Sequence, residues 1–183
     1  MPDTSDRDCC SRRYLAKGVC DPLPWRGEYR PTWGQYSSAI LLLAAHIKAL
    51  KVSYDAIVGV SRGGLVAATI LSHILSIKGH QLPVHAVSIS TYEGEQRVRE
   101  GAVVGYIPNV RSVLVVDDII SSGKTVSAVL KYIRSSLQPR RIRIEVASVY
   151  VAQSKQNKYL CGAHIEDNVW VVFPYEAVVE GTK

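Results

Sequence analysis

The chain has 183 residues, 47% apolar and 21% charged, which suits one globular domain whose core needs no disulfide or metal to hold it. Its longest uninterrupted apolar run, Ala39 to Ala45, falls far short of the ~20 residues that span a bilayer, and Met1 to Cys20 lacks the apolar stretch of a secretory signal. The formal net charge of +6 is too mild to demand nucleic acid, but it favours an anionic partner such as a phosphorylated metabolite.

Residues 1–33 read as an irregular head outside a main domain of residues 34–183. Pro22, Pro24 and Pro31 break helices there, Gly18 and Gly27 loosen the rest, and Trp25 and Trp33 are suited to pin the segment to the body. Cys9, Cys10, Cys20 and the distant Cys161 form no CxxC pair and match no zinc spacing, so reduced thiols in a cytoplasmic protein are expected. From Tyr36 to Leu50 the residues Ile40, Leu43, Ala44, Ile47 and Leu50 recur at helical spacing. Tyr54 to Val60 reads as a buried strand ending in Ser61-Arg62-Gly63-Gly64, followed by a helix over Leu65 to Ile77. Val84 to Ser90 is a strand. Thr91 to Pro108 is polar and aperiodic, a loop long enough to suggest a function. Ser112 to Val116 is a strand, Thr125 to Leu137 a helix, and Arg143 to Val151 and Val169 to Phe173 two more strands. This alternation predicts an α/β fold with a mostly parallel twisted sheet flanked by helices.

Two strand ends carry unusual chemistry, and in α/β sheets ligands bind outside such ends. The first reads Val113-Leu114-Val115-Val116-Asp117-Asp118-Ile119-Ile120-Ser121-Ser122-Gly123-Lys124-Thr125. Two adjacent carboxylates repel, so the pair costs stability unless a ligand uses it. Asp117 and Asp118 can accept hydrogen bonds from a sugar diol or help hold a hydrated Mg²⁺. Ser121 to Thr125 is a hydroxyl-rich turn opening a helix, whose unpaired N–H groups suit a phosphate. A solvated strand end with Asp118 as a helix cap is the plainer alternative. A Walker A loop is excluded, because position 118 is Asp where that motif needs Gly. The second strand end is Gly59-Val60-Ser61-Arg62-Gly63-Gly64-Leu65. There the glycines permit close backbone approach to an anion, and Arg62 offers a planar fork to phosphate oxygens.

The thirteen-residue segment resembles the phosphoribosyl-pyrophosphate (PRPP) binding motif of type I phosphoribosyltransferases, over roughly residues 34–176. The resemblance implies Mg²⁺-dependent transfer of ribose 5-phosphate from PRPP to a nucleobase, releasing pyrophosphate, as in purine salvage, and a homodimer. By resemblance Asp117, Asp118 and Ser121 are the catalytic-site residues, with the two carboxylates also at the metal. Ser121, Ser122, Gly123, Lys124 and Thr125 take the 5′-phosphate. Ser61, Arg62, Gly63 and Gly64 form the pyrophosphate loop, where a non-proline cis peptide at Ser61-Arg62 is expected. Thr91 to Tyr106 matches the family's flexible hood, with Tyr92, Arg97 and Arg99 able to close on pyrophosphate and exclude water. Glu93 and Gln96 share this segment.

The ending Trp170-Val171-Val172-Phe173-Pro174-Tyr175-Glu176 resembles that of xanthine/hypoxanthine-guanine members, so Trp170, Val171 and Phe173 are candidate base-binding residues. Two departures stand beside this. Hypoxanthine- and guanine-type members carry Asp where this chain has Ser121, and a lone hydroxyl is a poor general acid at neutral pH. They also carry a base-binding Lys directly after the strand that here ends at Val151, whereas Lys155 lies further on. A regulator that senses PRPP or a nucleotide on the same fold is the alternative function. Lys131, Arg134, Arg140, Arg141 and Arg143 form a basic cluster that reads as a helix C-terminus and an edge strand rather than a nucleic-acid surface, since aromatics for base stacking are few.

Overall fold

The apolar runs of the chain become neighbours in a single sheet. The structure is a computed structural model that describes residues 27–77, 81–93, 96–107, 109–136 and 142–176, and of residues 90–102 it describes the backbone alone. Residues 1–26 of the head, with Cys9, Cys10, Cys20 and Trp25, lie outside those residues, as do Pro108, Arg140 and Arg141. In chain order the elements are β1 (Glu28–Tyr29), α1 (Trp33–Ala49), β2 (Ala56–Ser61), α2 (Gly63–Leu75), β3 (Val84–Glu93), β4 (Gln96–Gly105), β5 (Ser112–Ile120), α3 (Lys124–Ser136), β6 (Arg143–Ala152), a 3-10 turn (Gln153–Lys155), β7 (Leu160–Ile165) and β8 (Trp170–Val171). The main sheet has the order β4-β3-β2-β5-β6-β7. Every neighbouring pair in it is parallel except β3 with β4.

β5 explains its own unbroken apolar sequence. Leu114 and Val116 join the core beneath α1 and α2, while Val113 and Val115 join a second core beneath α3 with Val129 and Ile133. Both faces of the strand are buried, so neither can be polar. α1 begins at Trp33, ahead of the apolar periodicity, because Thr32 and Gln35 form a reciprocal capping box: the Gln35 side chain accepts from the Thr32 N–H at 2.8 Å and Thr32 Oγ1 accepts from the Gln35 N–H at 3.2 Å. Among the described residues no helix is long and apolar enough to cross a membrane.

The structure departs from the sequence expectations in several places. Thr91 to Gly105 is not an aperiodic loop. β3 and β4 pair as an antiparallel hairpin, with Tyr92 opposite Arg97, Glu93 opposite Gln96 and an irregularity between Ser90 and Tyr92. Backbone pairing needs no apolar face, so the polar run there left no strand signature in the sequence. β7 was not anticipated, since Gly162 and Ala163 have weak strand propensity. The C-terminal strand is only Trp170–Val171 and pairs in parallel with β1, not with the main sheet. That two-strand clip ties residues 28–29 to the body, and the ring of Tyr29 meets that of Tyr150 edge-on at 5.7 Å.

α1 crosses β7 at close range: a Cβ built on Gly162 would overlap the Ala39 carbonyl oxygen. Gly162→Ala should therefore destabilise the protein by about 1–3 kcal/mol, the usual cost of overpacking. A denaturant titration reads this directly, and a midpoint equal to wild type would mean the helix can move off the strand without cost.

Candidate active site

Strand order reverses once in the sheet. From β2 the chain goes to β3 on one side, then returns to β5 on the other. The crevice outside the carboxyl ends at such a switch point is where open α/β sheets bind ligands. Both unusual strand ends meet there. Gly59 of β2 lies opposite Val116 of β5, so Ser61-Arg62 and Asp117-Asp118 leave the sheet side by side.

On the β2 side the Ser61–Arg62 peptide is cis, as the family resemblance implies. Arg62 is exposed and immediately precedes α2. Gly63 and Gly64 open that helix for a steric reason. A Cβ on Gly64 would lie 2.6 Å from the Val116 carbonyl oxygen and 2.9 Å from Asp117 Cα, and one on Gly63 would overlap the Asp118 carboxylate and the Tyr175 hydroxyl. The two glycines thus let the N-terminus of α2 press against the acidic end of β5. There the helix dipole favours negative charge.

β5 continues to Ile120, so the acidic pair sits within the strand and not at its tip, with Asp117 opposite Ser148 of β6. Asp117 is buried, and its Oδ1 accepts the Asp118 N–H at 3.0 Å. Asp118 is held at both oxygens: Oδ1 accepts the Ile119 N–H at 2.9 Å, and Oδ2 accepts the Tyr175 hydroxyl at 2.5 Å. Burial first, and the neighbouring Asp118 charge second, push the Asp117 carboxyl well above the usual carboxylate range. The hydroxyls of Tyr36 and Tyr175 are pushed up as well, again by burial first and by Asp118 second, so both stay protonated. Tyr36, from α1, lies under the site with its hydroxyl buried and its ring 5.9 Å from that of Tyr175.

The turn between β5 and α3 is Ser121-Ser122-Gly123. Gly123 takes φ +78°, which a side chain would strain, and the Tyr159 hydroxyl lies 3.2 Å from where its Cβ would be. Ser122 Oγ accepts the Lys124 N–H at 3.4 Å, and the Ser127 N–H donates to the Gly123 carbonyl at 3.0 Å. Ser121, Ser122 and Lys124 are exposed and Thr125 is half-buried. Between the Lys124 and Ser127 N–H groups lie those of Thr125 and Val126, in the first turn of α3, where helix N–H groups suit an anion.

The base-side candidates separate. Trp170 is 71% exposed and Val171 is buried in its pairing with Tyr29. Phe173 is in the core: its ring stacks on Tyr175 at 5.1 Å and 8° and meets Tyr36 edge-on at 5.9 Å. A base therefore cannot stack on Phe173 as the ring now lies. Lys155 is half-buried in the 3-10 turn that follows β6. Tyr92, Arg97 and Arg99 lie on the β3–β4 hairpin, which is described there by its backbone only. Sequence reasoning missed Tyr36 and Tyr159, and saw Tyr175 only as part of the C-terminal ending. Nothing in the chain announces its bond to a carboxylate 57 positions away.

Among the described residues no three His, Cys, Asp or Glu side chains converge as a metal cage. The donors present are two adjacent carboxylates. Such hard oxygens fit a Mg²⁺ that is shared with substrate oxygens and water, the usual arrangement for that ion.

Comparison with known proteins follows the same lines. A family model described as a phosphoribosyl transferase domain matches residues 33–178. The chain is similar to the xanthine-guanine phosphoribosyltransferase of Cereibacter sphaeroides, 27% identical over 70% of this chain and 72% of that one. It is also similar to the xanthine-guanine phosphoribosyltransferase of Gluconobacter oxydans, 26% identical over 79% and 82%. Among solved structures, a purine phosphoribosyltransferase from Pyrococcus horikoshii superposes with a TM-score of 0.65 and 27% identity, covering 81% of this chain and 93% of that one.

The direction of the Asp117 shift has a measurable consequence. A carboxyl whose native pKa lies above its unfolded value of about 3.9 holds its proton longer when folded. Native stability is then lost as pH rises from there through the native pKa. Asp117→Asn keeps the Oδ1 acceptor and removes that loss. In the presence of a chelator its stability advantage over wild type should widen as pH is raised from about 4. Thermal melts across pH check this, and a pH-independent difference would show that Asp117 is not desolvated.

Proposed function

Because the chain belongs to the phosphoribosyl transferase family, matched over residues 33–178, we propose that its switch-point crevice binds PRPP and Mg²⁺ and that the acceptor is a purine of the xanthine, guanine or hypoxanthine type. The protein is a phosphoribosyltransferase, and PRPP-dependent transfer to a nucleobase is the activity of its relatives. The observation that carries the reading is the packing of the glycine-opened α2 against the acidic end of β5, beside the hydroxyl-rich turn that opens α3. Three anion- and diol-binding elements thereby converge on one crevice.

In this reading the reaction is a displacement at the anomeric carbon. A C–N bond forms to the base as the C–O bond to pyrophosphate breaks, and negative charge accumulates on the leaving group. Ser61, Arg62, Gly63 and Gly64 receive that charge through backbone N–H groups and the guanidinium, stabilising it most in the transition state. Asp117 and Asp118 would help hold Mg²⁺, which would supply further charge stabilisation to the leaving group. Asp117 and Asp118 accept hydrogen bonds from the ribose hydroxyls and fix the sugar ring. Ser121, Ser122, Gly123, Lys124 and Thr125 anchor the 5′-phosphate, so that the anomeric carbon faces the base. The hairpin with Tyr92, Arg97 and Arg99 closes over the reacting centre and keeps water from intercepting it.

The purine assignment is supported by the xanthine-guanine relatives and by Trp170, whose exposed ring can stack on a base beside the Val171 backbone. Lys155, on the turn after β6, is the candidate donor to a 6-oxo group. Ser121 stands where a proton-exchanging Asp would serve hypoxanthine or guanine.

Three experiments test this. Turnover of PRPP against a panel of purines and pyrimidines should favour 6-oxopurines, and absence of product with every base in folded protein with Mg²⁺ would refute the activity. The double variant Asp117→Asn with Asp118→Asn should weaken PRPP binding by roughly 100-fold or more, given that hydrogen bonds to charged groups each contribute about 1.5–3 kcal/mol. Wild-type affinity by titration calorimetry would move the site elsewhere. Ser121→Asp should raise activity with hypoxanthine or guanine by about 10-fold or more if a missing acid limits the reaction. Unchanged or lower activity would rule out that explanation.

A further inference from the structure

Resting on that reading, we propose that Tyr175 is a positioning residue for the sugar: its hydroxyl holds the Asp118 carboxylate in the orientation that receives the ribose diol of PRPP. The two groups are 57 positions apart in the chain, yet the Tyr175 hydroxyl donates to Asp118 Oδ2 at 2.5 Å. Each carboxylate oxygen has two acceptor sites, so Oδ2 can bind this hydroxyl and still accept from the substrate. Oδ1 is fixed separately, by the Ile119 N–H at 2.9 Å.

Tyr175 is itself locked. Its ring stacks on Phe173 at 5.1 Å and meets Tyr36 at 5.9 Å, so the hydroxyl cannot swing away from Asp118. The turn that carries it is pinned at both ends: the Phe173 N–H donates to Glu176 Oε2 at 3.0 Å, and the Glu176 N–H donates to the Phe173 carbonyl at 2.9 Å. The absence of a side chain at Gly63 leaves room for this bond, since a Cβ there would overlap both the carboxylate and the phenol oxygen. The pyrophosphate loop, the acidic pair and the C-terminal turn therefore meet at one hydrogen bond. Phe173 is then explained as the platform beneath Tyr175, not as a surface for the base.

Tyr175→Phe removes the hydroxyl and keeps the stacked ring. The full-length variant and wild type are compared by PRPP titration calorimetry with Mg²⁺, by KM for PRPP and for the base, and by thermal melting. The expected result is a roughly 10-fold loss of PRPP affinity with a matching rise in KM for PRPP, the size of one hydrogen bond to a charged group. KM for the base should stay within about twofold, which separates an effect on the sugar site from general loosening. An unchanged PRPP affinity overturns the inference. So does a parallel rise in both KM values with a lowered or broadened melt, which would mark the hydroxyl as structural only. If wild type binds no PRPP at all, the proposed function fails instead, and the two failures are told apart by that control.

Discussion

Two carboxylates sit side by side in the last buried stretch of β5, and much of the molecule is arranged around that expense. Asp117 has left water almost completely and lies next to another acid, which is why its proton is held so strongly. In a structure with no use for the pair, an apolar residue at either position would be the more stable choice. The surroundings show what makes the arrangement tolerable. The N-terminus of α2 is brought against Asp118 by two glycines, backbone N–H groups from Asp118 and Ile119 bond the carboxylates, and a tyrosine hydroxyl from the far end of the chain completes the set.

The same constraint organises the elements around the crevice. β2 and β5 must be adjacent and parallel for the glycine loop and the acidic pair to leave the sheet together, and the reversal of strand order between them opens the crevice. α1 reaches under the site through Tyr36, so the N-terminal helix is part of the support of the C-terminal turn. The β1–β8 clip anchors Trp170 and Val171 from the other side, leaving the indole exposed while the neighbouring backbone is fixed. α1 and the turn after β8 thus meet in one packed centre of Tyr36, Phe173 and Tyr175 beneath the crevice.

Energetically the arrangement trades stability for readiness. Each group that holds Asp117 and Asp118 fixes these acceptors before any ligand arrives, and preorganised acceptors lower the cost of fixing a bound group. The exposed residues behave differently. Ser121, Ser122, Lys124 and Arg62 carry little of the fold, so their substitution should alter binding more than stability.

Most of this was legible in the chain because its strongest signals are local. An apolar run that ends in two acids and a Ser-Ser-Gly-Lys-Thr turn can be read from consecutive residues, and so can a strand that ends in Arg-Gly-Gly; the alternation of strands and helices supplies the parallel sheet. The polar hairpin was not legible, because hydrogen bonds between backbones leave no mark on side-chain pattern. β7 escaped because Gly162 was chosen for the close passage of α1 and not for strand propensity. Where Phe173 and Tyr175 face could be decided only in three dimensions: an aromatic at a strand end can face a ligand or the core, and which it does depends on residues 57 and more positions away that the sequence does not bring into view. The amino-acid order determined which chemistry lies at the strand ends, since that depends on neighbours in sequence. The tertiary structure alone decided how those ends are held against one another, since that depends on packing between distant segments.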